Sequence, residues 1–159
     1  MQPVRVEQYR AIPVSVEHAY RVTLPIDLAK VFRRWYGPIP PIKGVRGQTG
    51  EWATVGQVRT VALKGGGTMR EELTHLDPPT SFGYRLSDIT GAMGPLVDHV
   101  DGLWTFTPAG TGTEVTWQWT LHPSSALTRP AVVLVGRLWK GYARVGLGEL
   151  SDQLVRAVA

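Results

Sequence analysis

The sequence predicts an α+β protein, in which a curved antiparallel sheet of six or seven strands wraps around one long C-terminal helix, with a short helix after the first strand. Three observations lead there. Residues 55–77, VGQVRTVALKGGGTMREELTHLD, read as a strand, a triple-glycine turn and a returning strand. Residues 100–121 repeat that hairpin pattern, and residues 128–158 are the only stretch long enough for a major helix. An antiparallel sheet standing alone must bury one of its faces, and only the final helix could cover it. A curved sheet gripping one helix leaves a cavity between the two layers.

Taken in order, residues 13–24 (PVSVEHAYRVTL) alternate as a first strand, with Val14, Val16, His18, Tyr20 and Val22 on one face. Pro25 ends it, and Ile26–Trp35 has the apolar spacing of a short amphipathic helix. The stretch Gly37-Pro38-Ile39-Pro40-Pro41 cannot continue a helix and reads as an extended linker, with a weak strand around Lys43–Glu51. In the central hairpin, Arg59 shares a strand face with Val61 and Leu63, and Glu71 shares one with Met69 and Leu73. Gly65–Gly67 supplies the positive φ that a tight reversal requires. Ser81–Ser87 is a further strand and Thr90–Asp98 a loop. Val100–Pro108 and Thr113–Leu121 form the second hairpin, whose last strand carries Val115, Trp117, Trp119 and Leu121 on one apolar face. Thr128 and Pro130 suit the start of the terminal helix. Its apolar face is read as Val132, Val135, Leu138, Trp139, Tyr142, Val145, Leu150 and Leu154. Four glycines within it (136, 141, 146 and 148) predict close backbone approach, a bend, or room for something bound.

Composition narrows the function. A chain of 159 residues is most economically one domain, residues 1–159. It has no cysteine, which excludes disulfides, thiolate metal sites and thiol nucleophiles. The net charge of +4 comes from scattered basic residues without a basic-aromatic motif, so no nucleic-acid partner is expected. The N-terminus lacks a signal-peptide core and no apolar run is long enough to span a bilayer, so the expectation is a cytoplasmic protein without integral membrane association, monomeric or homodimeric. No nucleophile elbow, P-loop or dinucleotide fingerprint occurs, and neither a cofactor nor a metal is expected. His99 and Asp101 share one strand face, but the sequence offers no second cluster to complete a metal site.

The candidate chemistry lies in the hairpin. A charge on a mainly apolar strand face must be paired, hydrated or used. Arg59 lies six residues before Gly65 and Glu71 four after Gly67, so the two can meet across the strands. One reading is a salt bridge that fixes the register. The other sends them into the cavity, Arg59 polarising a ligand carbonyl and Glu71 serving as acceptor or general base. Tyr84, apolar in body and polar at its tip, suits a cavity wall or the core equally. The expected ligand-binding lining is His18, Tyr20, Val61, Leu63, Met69, Leu73, Trp104, Trp117, Trp119, Leu138 and Tyr142.

The order of elements resembles the helix-grip superfamily (SRPBCC, START-like), which includes START lipid-transfer domains, birch-pollen-allergen relatives, plant abscisic-acid receptors and bacterial polyketide cyclase/dehydrase-like proteins. The motif Gly56-x-x-Arg59…Gly66-Gly67-Thr68-x-x-Glu71-x-Leu73…Asp77 is similar to the hairpin of the bacterial branch, as are Tyr84 and Gly112-Thr113-x-Val115-x-Trp117. The likeness covers nearly the whole chain. It departs where a second short helix, common after the first, is replaced by the proline-rich stretch. The resemblance implies an inward-facing Glu71, because the matching position contacts ligand in the hormone-receptor branch. It also implies a small hydrophobic ligand of lipid, isoprenoid or polyketide type. Two functions follow: a non-catalytic carrier or sensor, and a cofactor-free aromatase/cyclase in which Arg59, Glu71 and Tyr84 promote aldol closure or dehydration. A protein–protein module with a vestigial cavity is a third, since one fold hosts many functions.

Overall fold

The computed structural model describes residues 2–158. Its elements are β1 (Val4–Ile12), α1 (Val16–Thr23), α2 (Leu28–Val31), β2 (Ile42–Arg46), β3 (Val58–Leu63), β4 (Thr68–Asp77), β5 (Ser81–Ser87), β6 (Val97–Ala109), β7 (Gly112–Pro123) and α3 (Arg129–Val158). The seven strands form one antiparallel sheet in the order β1-β7-β6-β5-β4-β3-β2. The buried faces of sheet and α3 enclose the core. This is the helix-grip architecture expected from the sequence. Among the described residues, no helix is long and apolar enough to cross a membrane.

The N-terminal third corrects the sequence reading. The first strand is Val4–Ile12, an edge strand, and most of the segment expected to be that strand is helix α1. Val14, Val16, Tyr20 and Val22 mimic a period of two, but the buried positions of α1 are Ala19, Tyr20 and Thr23, with Val16 packed on the core. That spacing of i, i+3, i+4 and i+7 is helical. Ser15 caps the helix by accepting the His18 backbone N–H at 3.2 Å. The helix expected over Ile26–Trp35 shrinks to the single turn α2, capped by Asp27 and followed by the Pro-rich segment. Two short helices therefore do follow the first strand, and the expected departure at this point does not occur.

Elsewhere the corrections are small. β2 ends at Arg46 rather than Glu51. In α3, Val145 is exposed, while Leu147 is buried among the core residues. The helix glycines answer to close approach. A Cβ on Gly146 would strike the Phe32 ring, and one on Gly141 the Tyr36 phenol. Gly148 has only the tip of Arg10, at 4.0 Å, near it. Of the triple-glycine turn, Gly66 takes the positive φ (+93°).

Candidate functional site

Strand register builds the site row by row. Arg59 pairs with Glu71, which pairs with Leu86 on the next strand. One row along, Leu73 faces Tyr84, Tyr84 faces Gly102, and Gly102 faces Trp119. In the row beyond, Phe82, Trp104 and Trp117 stack with centroid separations of 6.1 and 5.0 Å. Gly102 is the gap that makes the middle row work. A Cβ there would lie within the Tyr84 ring, so only glycine lets the phenol extend across β6. The Tyr84 oxygen then accepts the indole N–H of Trp117 at 2.8 Å and of Trp119 at 2.9 Å.

Between sheet and α3 lies a cavity of about 420 Å³. Arg59, Glu71 and Tyr84 all line it, as do Val61, Leu63 and Met69 from the hairpin. Trp104, Trp117 and Trp119 come from the second hairpin, and Leu138 and Tyr142 from α3. His18, Tyr20 and Leu73 are not on its wall. His18 sits on α1, where its Nε2 meets the Leu154 carbonyl at 3.0 Å. Tyr20, on the same helix, packs edge-on against Phe82 and Phe106. Leu73 is fully buried in the core. His75, on β4, hydrogen-bonds Ser81 at 2.9 Å.

The charged pair is buried: Arg59 and Glu71 are each 5% exposed, and Arg59 Nε donates to Glu71 Oε1 at 2.7 Å. The guanidinium also donates to Gln48 Oε1 at 3.0 Å and lies 4.0 Å from the centre of the Trp52 ring. The pair thus links the two strands and still faces the cavity. The two sequence readings, register lock and cavity group, describe one arrangement. Burial raises the Glu71 carboxyl above the ordinary carboxylate range, against the opposing pull of Arg59. Burial, with the Glu71 charge adding to it, also raises the Tyr84 phenol, so Tyr84 stays protonated at neutral pH. With two N–H groups already on its oxygen, the Tyr84 hydroxyl proton has no acceptor among the described residues. Trp139 Nε1 and Thr23 Oγ1, buried in two further lining residues, also lack partners among the described residues.

Trp52 and Gln48 escape sequence reasoning because they lie in irregular chain between β2 and β3, where no period marks them. Gly102 escapes it because its importance exists only in the cross-strand register. Two loops contribute to the cavity wall, Gly65 and Gly67 from the glycine turn and Thr90–Met93 from the segment after β5. Thr68 N–H donates to Thr90 Oγ1 at 2.8 Å, and Thr90 N–H donates back to the Thr68 carbonyl at 2.9 Å. This ties the glycine turn to the β5–β6 loop. On the outer face of the sheet, away from the cavity, His122 joins His99 and Asp101.

Comparison with known proteins agrees with this architecture. A family model described as polyketide cyclase/dehydrase and lipid transport matches residues 3–155. No curated protein matches the chain in sequence. Among solved structures, ginseng major latex-like protein 151 from Panax ginseng superposes with a TM-score of 0.70 at 11% identity, covering 96% of this chain and 98% of that one. TTHA0849 from Thermus thermophilus gives 0.69 at 19% identity, covering 98% and 100%. Ara h 8.0201 gives 0.65 at 15% identity, covering 97% and 99%. Such identities speak to the fold alone.

Proposed function

The chain belongs to the polyketide cyclase/dehydrase and lipid transport family, and on that premise we propose that it holds one small, largely apolar metabolite of lipid, isoprenoid or polyketide type between its sheet and α3. The observation that carries this reading is the cavity of about 420 Å³, aromatic and aliphatic on most of its wall, with Arg59, Glu71 and Tyr84 as a small convergent polar group. Sites of that size with few fixed polar groups suit compact organic molecules. The Tyr84 hydroxyl offers its proton to a ligand carbonyl, and Trp139 Nε1 offers a second donor. No cofactor is needed for such binding, and residues 1–159 act as one ligand-holding domain.

The experiment is mass spectrometry of gently purified, undenatured protein with solvent extraction of any passenger, followed by thermal shift against lipid and polyketide-like compounds. A ligand at about a hundred times its Kd stabilises the fold by about 2.7 kcal/mol, a rise of several degrees in Tm. No passenger together with no stabilisation across the panel would refute the reading and favour an interaction module.

A second reading, a cofactor-free cyclase or dehydrase, draws on one feature: a buried carboxyl with raised pKa beside a protonated phenol. Glu71 would take a proton from carbon and Tyr84 would stabilise the developing oxyanion. In that case Glu71→Gln abolishes turnover of a polyketone while binding persists. Equal turnover in the variant would remove Glu71 from the chemistry.

A further inference from the structure

The outer face of the sheet carries a cluster that the cavity does not use. A register shift in β6 between Val97 and His99 brings His99 directly opposite His122 of β7. Their imidazoles stack with centroids 4.0 Å apart, inclined by 15°. Asp101, two residues beyond His99 on the same strand face, turns Oδ2 toward both rings, 3.1 Å from His122 Nε2 and 3.9 Å from His99 Nε2. From these residues we propose that His99, Asp101 and His122 bind a divalent transition-metal ion of the zinc class.

Four features distinguish this cluster from a surface ion pair. The first is spacing. The donor atoms lie within 4.8 Å of one another, and the two Asp101–histidine separations bracket the distance of about 3.3 Å between donors of a tetrahedral ion with bonds of about 2.0–2.1 Å. The second is tautomer. Asp98 Oδ2 lies 2.7 Å from His99 Nδ1, and a carboxylate can only accept, so Nδ1 carries the proton and Nε2 presents its lone pair. A histidine oriented by a carboxylate in this way is the usual outer-shell support of a metal ligand.

The third feature is the state of Asp101. Arg85 Nε donates to its other oxygen, Oδ1, at 2.8 Å, and Arg85 Nη2 donates to Oδ2 at 3.4 Å. The guanidinium thereby fixes the carboxylate and leaves Oδ2 facing the imidazoles. The fourth is access. The three ligands are partly exposed, so an ion reaches them from solvent, keeps an open coordination position for water, and binds His122 through Nε2 once its proton has passed to Nδ1, the other neutral tautomer. Two imidazoles and one carboxylate, without thiolate, suit zinc and its neighbours rather than magnesium or calcium. The chain's other two histidines are engaged elsewhere, His18 with Leu154 and His75 with Ser81.

The test uses the full-length, untagged, metal-stripped chain. Zinc is titrated by calorimetry, and cobalt by its visible absorption, in which no thiolate band can interfere because the chain has no cysteine. The expected result is one ion per chain and a zinc-dependent rise in Tm. His99→Gln and His122→Gln abolish saturable binding, and Asp98→Asn weakens it by about tenfold or more. His75→Gln leaves binding unchanged. Circular dichroism checks that each variant is folded. Absence of saturable one-to-one binding in the parent chain would overturn the proposal, as would binding that persists in the His99/His122 double variant or disappears with His75→Gln.

Discussion

At the scale of single residues, the buried Arg59–Glu71 pair carries a pH signature. The unfolded chain releases the Glu71 proton around its ordinary value of 4.5, whereas the folded chain holds it to higher pH because burial disfavours the charged carboxylate. Between those two points the native state binds more protons than the unfolded state, so stability falls as pH rises. Wild type should therefore lose stability from pH 4.5 upward relative to Glu71→Gln, whose midpoint lacks this dependence. Thermal unfolding of both proteins at several pH values measures it. Parallel curves would mean that Arg59 cancels the burial completely. Below pH 4.5 the wild-type carboxyl is protonated in both states and resembles the Gln amide, so the two proteins should converge in stability there.

At the scale of elements, the second hairpin depends on Gly102. The three-strand row of Tyr84, Gly102 and Trp119 fits because the middle position has no side chain. Gly102→Ala must expel the phenol ring, stranding the indole N–H groups of Trp117 and Trp119. Overpacking together with lost buried hydrogen bonds predicts a loss of at least about 2 kcal/mol, measurable by denaturant unfolding. A loss below about 0.5 kcal/mol, the range of an ordinary surface change, would show that the ring relocates freely. The helices follow the same rule of close approach. Phe32 and Tyr36 reach α3 where Gly146 and Gly141 leave room, and this anchors the segment around α2 over the cavity.

At the scale of the whole molecule, the cavity wall is assembled from segments distant in sequence. The turn around Gly66 and the loop after β5 are held by reciprocal hydrogen bonds between Thr68 and Thr90. Gly67 fits so closely that an added Cβ would stand 2.9 Å from the Thr90 carbonyl oxygen. A ligand entering past these loops should slow amide exchange at Thr68, Thr90 and their neighbours. Exchange in both segments that ignores a saturating ligand would rule them out as the gate. The outer His99–Asp101–His122 cluster lies on the other side of the same strands, so metal and ligand would load opposite faces of one sheet.

The sheet-and-helix architecture, the two hairpins and the meeting of Arg59 with Glu71 are all legible in the chain before it folds. They rest on local periodicity and on glycine turns, whose consequences reach only a few residues. Residues 13–24 mislead because their apolar positions satisfy both periods; burial against α3 and β6, together with the Ser15 cap, selects the helix. That Arg59, Glu71 and Tyr84 share one cavity wall while His18, Tyr20 and Leu73 do not is settled only by three-dimensional packing. So are the placement of Trp52 over Arg59 and of His122 beside His99 across a bulged register. Contacts of that kind depend on strand register and layer packing, which no single segment encodes.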